Sequence, residues 1–124
     1  MSTITHFDGG GFARALAGPG LWMVAFWAPW CGPCQAFASV FEAAAADHDD
    51  VRFGKINVDE QPALAEQFGV RSIPMLMGVR DGVVLYLQAG ALSEGDLATL
   101  VGHLLSVDMG EVHAALASQQ GDKA

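Results

Sequence analysis

Cys31 and Cys34 are the only cysteines of the chain, and they lie three residues apart in the stretch Trp-Cys-Gly-Pro-Cys. In a helix, Cβ atoms at this spacing are about 5–6 Å apart, whereas a disulfide needs about 3.5–4.5 Å. A modest adjustment in a first helical turn therefore lets the pair exist as a dithiol or as a disulfide. The spacing predicts a reversible redox pair.

The residues between the cysteines indicate that a helix begins here. Pro33 suits a first turn, where its missing N–H has no partner to lose, and Gly32 leaves the first sulfur uncrowded. The helix start directs free N–H groups and a partial positive charge at Cys31, which favours its thiolate. We expect Cys34, one turn in, to be more buried and to stay a thiol. Cys31 would then attack a substrate disulfide and Cys34 would resolve the mixed disulfide.

Three other uses of the two cysteines stay open. A structural disulfide across so short a loop would constrain the unfolded chain little, and inert buried cysteines would make the Gly-Pro between them a coincidence. A zinc site would need two further ligands, which the scattered histidines do not supply as a pair: His6, His48, His103 and His113. We expect no metal and no bound organic cofactor.

Composition and charge narrow the class of protein. The 124 residues are enough for one domain, and 52% hydrophobic with 16% charged residues indicates a globular chain. The formal net charge of −8 and the lack of a basic patch argue against nucleic acid and membrane as partners. No secretory signal is evident, so we expect a cytoplasmic location, where close cysteines are more often catalytic than structural.

Hydrophobic patterning predicts the elements that position the pair. A marginal amphipathic helix carries Phe12, Ala15 and Leu16 on one side. After it, the pattern predicts a strand buried on both faces, a helix, a second strand and a short helix: 21–28, 35–48, 51–58 and 62–68.

Later in the chain, Asp81-Gly82 between two apolar runs predicts a hairpin of 75–80 and 83–89. Ser93 and Asp96 form a capping box before a helix, and Asp108 and Glu111 repeat it. A last helix should therefore run from Met109 to about residue 119, with its apolar face packed on the domain or on a partner: Val112, Ala115 and Leu116. Strand-helix-strand units imply parallel pairing, so we expect an α/β fold with a mixed sheet.

Five motifs together give the chain a family resemblance: FWAPWCGPC (26–34), KINVDEQP (55–62), FGVRSIP (68–74), DG (81–82) and GALS (90–93). Over about residues 5–106 the chain resembles the thioredoxin family. The resemblance implies a thioredoxin-like fold, a central mixed β-sheet flanked by helices on both faces, with an extra C-terminal helix. We divide the chain into a thioredoxin-like domain, 1–106, and a C-terminal extension with a short helix, 107–124.

The resemblance also implies roles for particular residues. Cys31 matches the family's nucleophile, Cys34 its resolving cysteine, and Ile73-Pro74 a cis-proline turn beside the disulfide. The residues expected to contact substrate are Trp30, Gly32, Pro33, Ile73, Pro74, Gly90 and Ala91. Trp27 and Lys55 are expected to support the site.

The sequence departs from the family in four places. Ala25 stands where most thioredoxins carry a buried acid, which is thought to take the proton of the resolving thiol. Ser39 replaces a helix-kinking proline, so the helix should run straighter, and Met75 stands where threonine is usual. The fourth departure is the C-terminal extension. Lys55 matches the lysine that normally faces the missing acid, so its ammonium should be penalised by desolvation or turn to solvent.

The resemblance implies an enzyme, a thioredoxin-like protein-disulfide reductase with a Cys31–Cys34 dithiol/disulfide couple. Its partners would be proteins with disulfides and a thioredoxin-reductase-type electron donor. The alternative is a thioredoxin-fold protein-binding or chaperone-associated module with slow redox activity, which Ala25 and the added helix favour. An exported thiol oxidase or isomerase would need a signal that the sequence does not show.

Overall fold

The computed structural model describes residues 4–122, with side chains through residue 118. The strands are β1 (Ile4–His6), β2 (Leu21–Trp27), β3 (Val51–Asn57), β4 (Met75–Arg80) and β5 (Val83–Ala89). The helices are α1 (Gly9–Ala17), α2 (Gly32–Asp47), α3 (Pro62–Gln67), α4 (Glu94–Ser106) and α5 (Met109–Asp122). The division into a domain, 1–106, and an extension, 107–124, stays a prediction. Residues 1–3 of the domain and 123–124 of the extension lie outside the described residues.

The sheet is mixed, as the sequence predicts, with the strand order β1-β3-β2-β4-β5. β1 and β2 run parallel to β3, whereas β4 is antiparallel to both β2 and β5. The strand β1 was not predicted, because three residues with two exposed side chains are too short to show an alternating pattern. Its pairing with β3 places β1 at one edge of the sheet.

The central strand β2 has helices against both of its faces. Leu21, Met23 and Ala25 face a core shared with α2 and α4. The alternate residues of β2 face a second core with side chains of α1 and α3, including Phe12 and Leu64. This arrangement confirms the prediction of a strand buried on both sides, because period-two alternation sends an unbroken apolar run into two cores.

The hairpin between β4 and β5 turns at the predicted Asp-Gly pair. Asp81 has φ 51° and Gly82 has φ 82°, the left-handed conformation that such a two-residue turn requires. Asp81 also accepts a hydrogen bond from the Gly20 amide at 2.8 Å and donates its own amide to the Gly20 carbonyl at 3.1 Å. The turn is therefore tied to the residue that precedes β2.

Both predicted capping residues begin helices. Ser93 Oγ accepts the Asp96 amide at 3.1 Å at the start of α4, and Asp108 Oδ1 accepts the Glu111 amide at 3.1 Å at the start of α5. The guanidinium of Arg80 fixes the connection between the two helices, because it donates to three carbonyl oxygens at 2.8–2.9 Å: Leu104, Leu105 and Val107.

Among the side chains of α5 described, through residue 118, those that pack lie in its first turn. Met109 is buried and Val112 is half-buried, but Ala115 is exposed and so is Leu116, at 39%. Ala115 and Leu116 therefore do not pack on the domain, the first of the two surfaces expected for them, and packing on a partner stays a prediction. Within the described part of the chain, no helix is both long and apolar enough to cross a bilayer.

The helix α2 is continuous through the position where the family carries proline. Ser39 donates its hydroxyl to the Ala36 carbonyl at 3.4 Å, within the same turn of the helix. A serine keeps the backbone N–H that a proline would remove, so the hydrogen-bond ladder need not break here. The straighter course of α2 stays a prediction.

Candidate active site

Cys31 occupies the N-cap position of α2, directly after the loop that leaves β2. Its backbone is extended, and its sulfur lies 3.2 Å from the Cys34 amide nitrogen, which donates to it. Pro33 stands in the first turn, where the sequence places it. The sulfur therefore takes the position in which a serine or aspartate oxygen normally caps a helix, facing the partial positive charge of the helix start.

Cys31 and Cys34 are joined as a disulfide, with their Cα atoms 5.2 Å apart. Both residues are 5% exposed, so the expected difference in burial is absent from the disulfide form. The two sulfurs instead differ in their surroundings. Cys31 Sγ lies 3.7 Å from the Ile73 carbonyl oxygen, whereas Cys34 lines a cavity inside the fold.

The Ile73–Pro74 peptide bond is cis, as the resemblance implies. Pro74 is buried, and its carbonyl accepts the Gly90 amide at 2.8 Å. Gly90 has φ 115°, a conformation that suits glycine. This bond brings the loop after β5 to the cis turn, beside the disulfide, while Ala91 is exposed at the edge of the site.

Trp30 is 69% exposed next to Cys31, and its ring is held from one side. Its Nε1 donates to Asp59 Oδ2 at 2.9 Å, and the Asp59 amide in turn donates to Asn57 Oδ1 at 2.9 Å. A groove of about 170 Å³ lies beside the ring, lined by Trp30, Val58, Val70, Arg71, Ser72 and Ile73. An exposed aromatic with a fixed orientation is typical of a protein-binding surface.

Gly32 and Pro33 are exposed at the front of the helix start. The loop before them is closed by Gln35, whose Nε2 donates to the Pro29 carbonyl at 2.7 Å. Sequence reasoning missed Gln35 and also Asp59, since each acts through a partner that is set by loop geometry. The nearest signal for Asp59 was the motif KINVDEQP, in which it follows β3 by two residues.

A cavity of about 90 Å³ lies on the inner side of the disulfide. Its wall is mostly apolar and consists of Ala25, Trp27, Cys34, Gln35, Phe37, Ala38, Phe41, Lys55 and Pro74. Ala25 is 3% exposed and is the register partner of Lys55 on the parallel strand β3. Ala25 and Trp27 border the same cavity, as strand alternation predicts.

Lys55 is half-buried, and its Nζ lies 5.5 Å from the centroid of the Trp27 ring. The ammonium is therefore over an aromatic face, where a cation–π attraction of about 0.5–2 kcal/mol is usual. Among the described residues, no acceptor meets the buried Nε1 of Trp27. Among the described side chains, which end at residue 118, no three that could ligate a metal lie together.

Comparison with known proteins agrees with this geometry. A sequence model described as Thioredoxin matches residues 3–103. The chain belongs to the thioredoxin family. Putative thioredoxin 2 of Streptomyces coelicolor is 47% identical over 98 residues, which cover 79% of this chain and 73% of the relative. The thioredoxin of Haemophilus influenzae is 38% identical over 103 residues, 82% of this chain and 96% of that protein.

Solved structures show the same fold. A thioredoxin of Malassezia sympodialis superposes with a TM-score of 0.74 at 28% identity, covering 83% of this chain and 92% of the other. A structure from work on thiol resolution in a yeast mitochondrial 1-Cys peroxiredoxin via glutathione/thioredoxin systems has a TM-score of 0.77 at 25% identity. That match covers 83% of this chain and 99% of the other.

This thioredoxin-family protein is a thiol-disulfide oxidoreductase with a redox-active Cys-x-x-Cys disulfide. Thioredoxins act on protein disulfides and are themselves reduced by a reductase. Neither the comparisons nor the described residues favour the alternative of a binding module with slow redox activity.

Proposed function

We propose that Cys31 is the nucleophile and Cys34 the resolving cysteine of a protein-disulfide reductase. The observation that carries the assignment is the position of the Cys31 sulfur at the helix N-terminus, 3.2 Å from the Cys34 amide that donates to it. A donor and a helix dipole directed at one sulfur stabilise its thiolate, and the thiolate is the attacking species. Cys34, in contrast to Cys31, lies beside the inner cavity.

The proposed reaction has two displacement steps at sulfur. The Cys31 thiolate attacks one sulfur of the substrate disulfide, forming a mixed disulfide and releasing the first substrate thiolate. The Cys34 thiol then loses its proton and attacks Cys31 Sγ, forming the Cys31–Cys34 disulfide and releasing the second substrate thiolate. Two electrons pass from the dithiol to the substrate, and a reductase of the thioredoxin-reductase type returns them.

The proposed substrate surface surrounds Cys31. Trp30 supplies an exposed apolar face, and Ile73, Pro74 and Gly90 supply a backbone edge next to the disulfide. Gly32, Pro33 and Ala91 are exposed at its border and leave room for an approaching chain. These features favour an extended protein segment as the substrate. We place this chemistry in the cytoplasm.

Insulin reduction with cysteine variants tests the assignment. Cys31→Ser should abolish reduction, because no thiolate remains at the helix start. Cys34→Ser should instead accumulate a mixed disulfide with the substrate, visible by mass spectrometry and released by dithiothreitol. The matched measurement is the alkylation rate of each thiol in the reduced protein at neutral pH. Equal rates for Cys31 and Cys34, or a trapped adduct on Cys34 in Cys31→Ser, would contradict the roles proposed here.

A further inference from the structure

Gln35 makes two hydrogen bonds back to the loop that carries Cys31. Its backbone amide donates to the Cys31 carbonyl at 3.2 Å, as the first backbone bond of α2. Its side-chain Nε2 donates to the Pro29 carbonyl at 2.7 Å. The helix α2 therefore holds this loop through a side chain as well as through its own backbone.

The side-chain bond reaches the loop at the group that is left to accept it. Proline has no backbone N–H, so the carbonyl is the one hydrogen-bonding group through which residue 29 can be held. A glutamine in the first turn of α2 is long enough to reach that oxygen, and its amide supplies the donor. Reach and chemistry together make Gln35 suited to this link.

The disulfide supplements these bonds only while the protein is oxidised. In that form Cys31 is joined covalently to Cys34, and the Cys34 amide donates to the Cys31 sulfur at 3.2 Å. The Cys31 amide also donates to the Ala28 carbonyl at 3.2 Å, which closes a turn within the loop but does not reach the helix. Reduction breaks the covalent link, so the position of the loop on α2 then depends more strongly on the remaining hydrogen bonds.

The position of Cys31 on α2 governs how well its thiolate is stabilised. The field of a helix terminus falls off within the first turn, and a hydrogen bond weakens steeply when its geometry is poor. A loop that moved away from the helix start would therefore take the Cys31 sulfur away from both the Cys34 amide and the helix dipole. A group that holds the loop in place protects both interactions.

We infer that Gln35 is a positioning residue for Cys31. Its Nε2 keeps the bond to the Pro29 carbonyl in the dithiol form, holds the Cys31 sulfur at the N-cap of α2, and so favours the thiolate. Gln35 acts on the sulfur through the backbone, and no proton or electron passes through it. The consequence for catalysis rests on the proposed function, in which this thiolate attacks the substrate.

The bond itself is tested by ¹⁵N relaxation of side-chain amides in the reduced protein. The Gln35 side-chain amide should be nearly as ordered as the backbone of α2. Gln67, which is likewise exposed and lies at the end of α3, is the internal reference and should have a mobile side-chain amide. A Gln35 amide as mobile as that of Gln67 would overturn the inference.

The effect on the thiolate is measured by the pH profile of Cys31 alkylation in the reduced protein, followed by mass spectrometry of the peptide. Gln35→Met keeps the size of the side chain and removes its donor. The midpoint of the profile should rise by about half a pH unit, as expected when a hydrogen bond of ordinary strength is lost. Gln35→Asn keeps the amide on a shorter side chain that does not reach Pro29, and should raise the midpoint equally.

The matched control is Gln67→Met, which should leave the midpoint unchanged. The urea midpoint of the oxidised Gln35→Met protein should also change little, because the disulfide then holds the loop. An unchanged alkylation profile in Gln35→Met, an equal rise in Gln67→Met, or a normal profile in Gln35→Asn beside a raised one in Gln35→Met would each overturn the role. Insulin reduction by the unmodified protein reports on the proposed function alone, so the two failures are distinguishable.

Discussion

The outer and inner sides of the Cys31–Cys34 disulfide differ in how closely they follow the thioredoxin family. On the outer side, the cis turn at Ile73–Pro74 and the exposed ring of Trp30 stand where the family resemblance places them. On the inner side, Ala25 replaces the acid, and a cavity faces Lys55. One active site thus combines a family-like surface with an altered interior.

This difference between the outer and inner sides suggests that each step of the proposed reaction depends on one side of the disulfide. In the proposed mechanism, attack on a substrate depends on the Cys31 thiolate and the surface around it, both on the outer side. Resolution in that mechanism depends on removing the proton of Cys34, which adjoins the inner cavity. A substitution on one side should therefore alter one step and leave the other nearly unchanged, which the following variants examine.

The largest effect is expected from Phe41→Ala, which removes a wall of the inner side. Phe41 is fully buried and its ring lies 5.2 Å from the ring of Phe53 in a T-shaped arrangement. Truncating such a core aromatic costs about 3–5 kcal/mol of unfolding free energy. Urea unfolding of the oxidised protein measures it, with Val84→Ala as the control, since Val84 is 45% exposed. Equal losses in the two variants would show that the inner wall is not a packed core.

The second-largest effect is expected on the rate of mixed-disulfide resolution, when an acid is placed at residue 25. Ala25→Asp should accelerate resolution of the mixed disulfide about tenfold at pH 7, because a positioned base then takes the Cys34 proton. In the unmodified protein the same step should speed up as pH rises, since the thiolate fraction of Cys34 grows with pH. Stopped-flow single turnovers measure both, with Ala25→Val as the matched control. An unchanged rate in Ala25→Asp would mean that proton removal does not limit resolution.

The smallest effect is expected on the outer side. Trp30→Ala should slow reduction of a protein disulfide about three- to tenfold, because exposed tryptophans often dominate contacts with a partner. Resolution and unfolding free energy should change little, the latter within about 0.5 kcal/mol. Reduction of a small aliphatic disulfide provides the control, since it needs little contact with the ring. If both substrates slow equally, Trp30 acts on Cys31 itself rather than on substrate binding.

Local patterns account for the parts of the fold that were predicted. The Asp81-Gly82 turn and the capping residues Ser93 and Asp108 act through neighbours in the chain, so their structure follows from short sequence stretches. The strand β1 and the exposed end of α5 were not foreseen. Each depends on contacts with distant residues, such as the pairing of β1 with β3 and the Arg80 contacts before α5.

The same distinction holds at the active site. The redox pair and its helix start were predicted from residues 27–35, and the place of Trp30 at the site was implied by the family resemblance. The partners of that loop were not, because Asp59 reaches Trp30 from 29 residues away and Gln35 acts through a loop carbonyl. The equal burial of the two cysteines also escaped prediction, since it depends on how the disulfide lies against the cis turn and the inner cavity.

By itself, the sequence determined the chemistry of this protein, because two cysteines around Gly-Pro at a helix start need only one turn of backbone to become a redox pair. The resemblance to the thioredoxin family marked Ala25 as the position where an acid is missing. Only the tertiary structure decided what fills that place. The cavity is lined by residues of β2, β3 and α2, and the Lys55 ammonium reaches the Trp27 ring because the register pairs Lys55 with Ala25, two residues before Trp27 on the same face of β2. Such contacts join residues about 30 positions apart, and no local pattern encodes them.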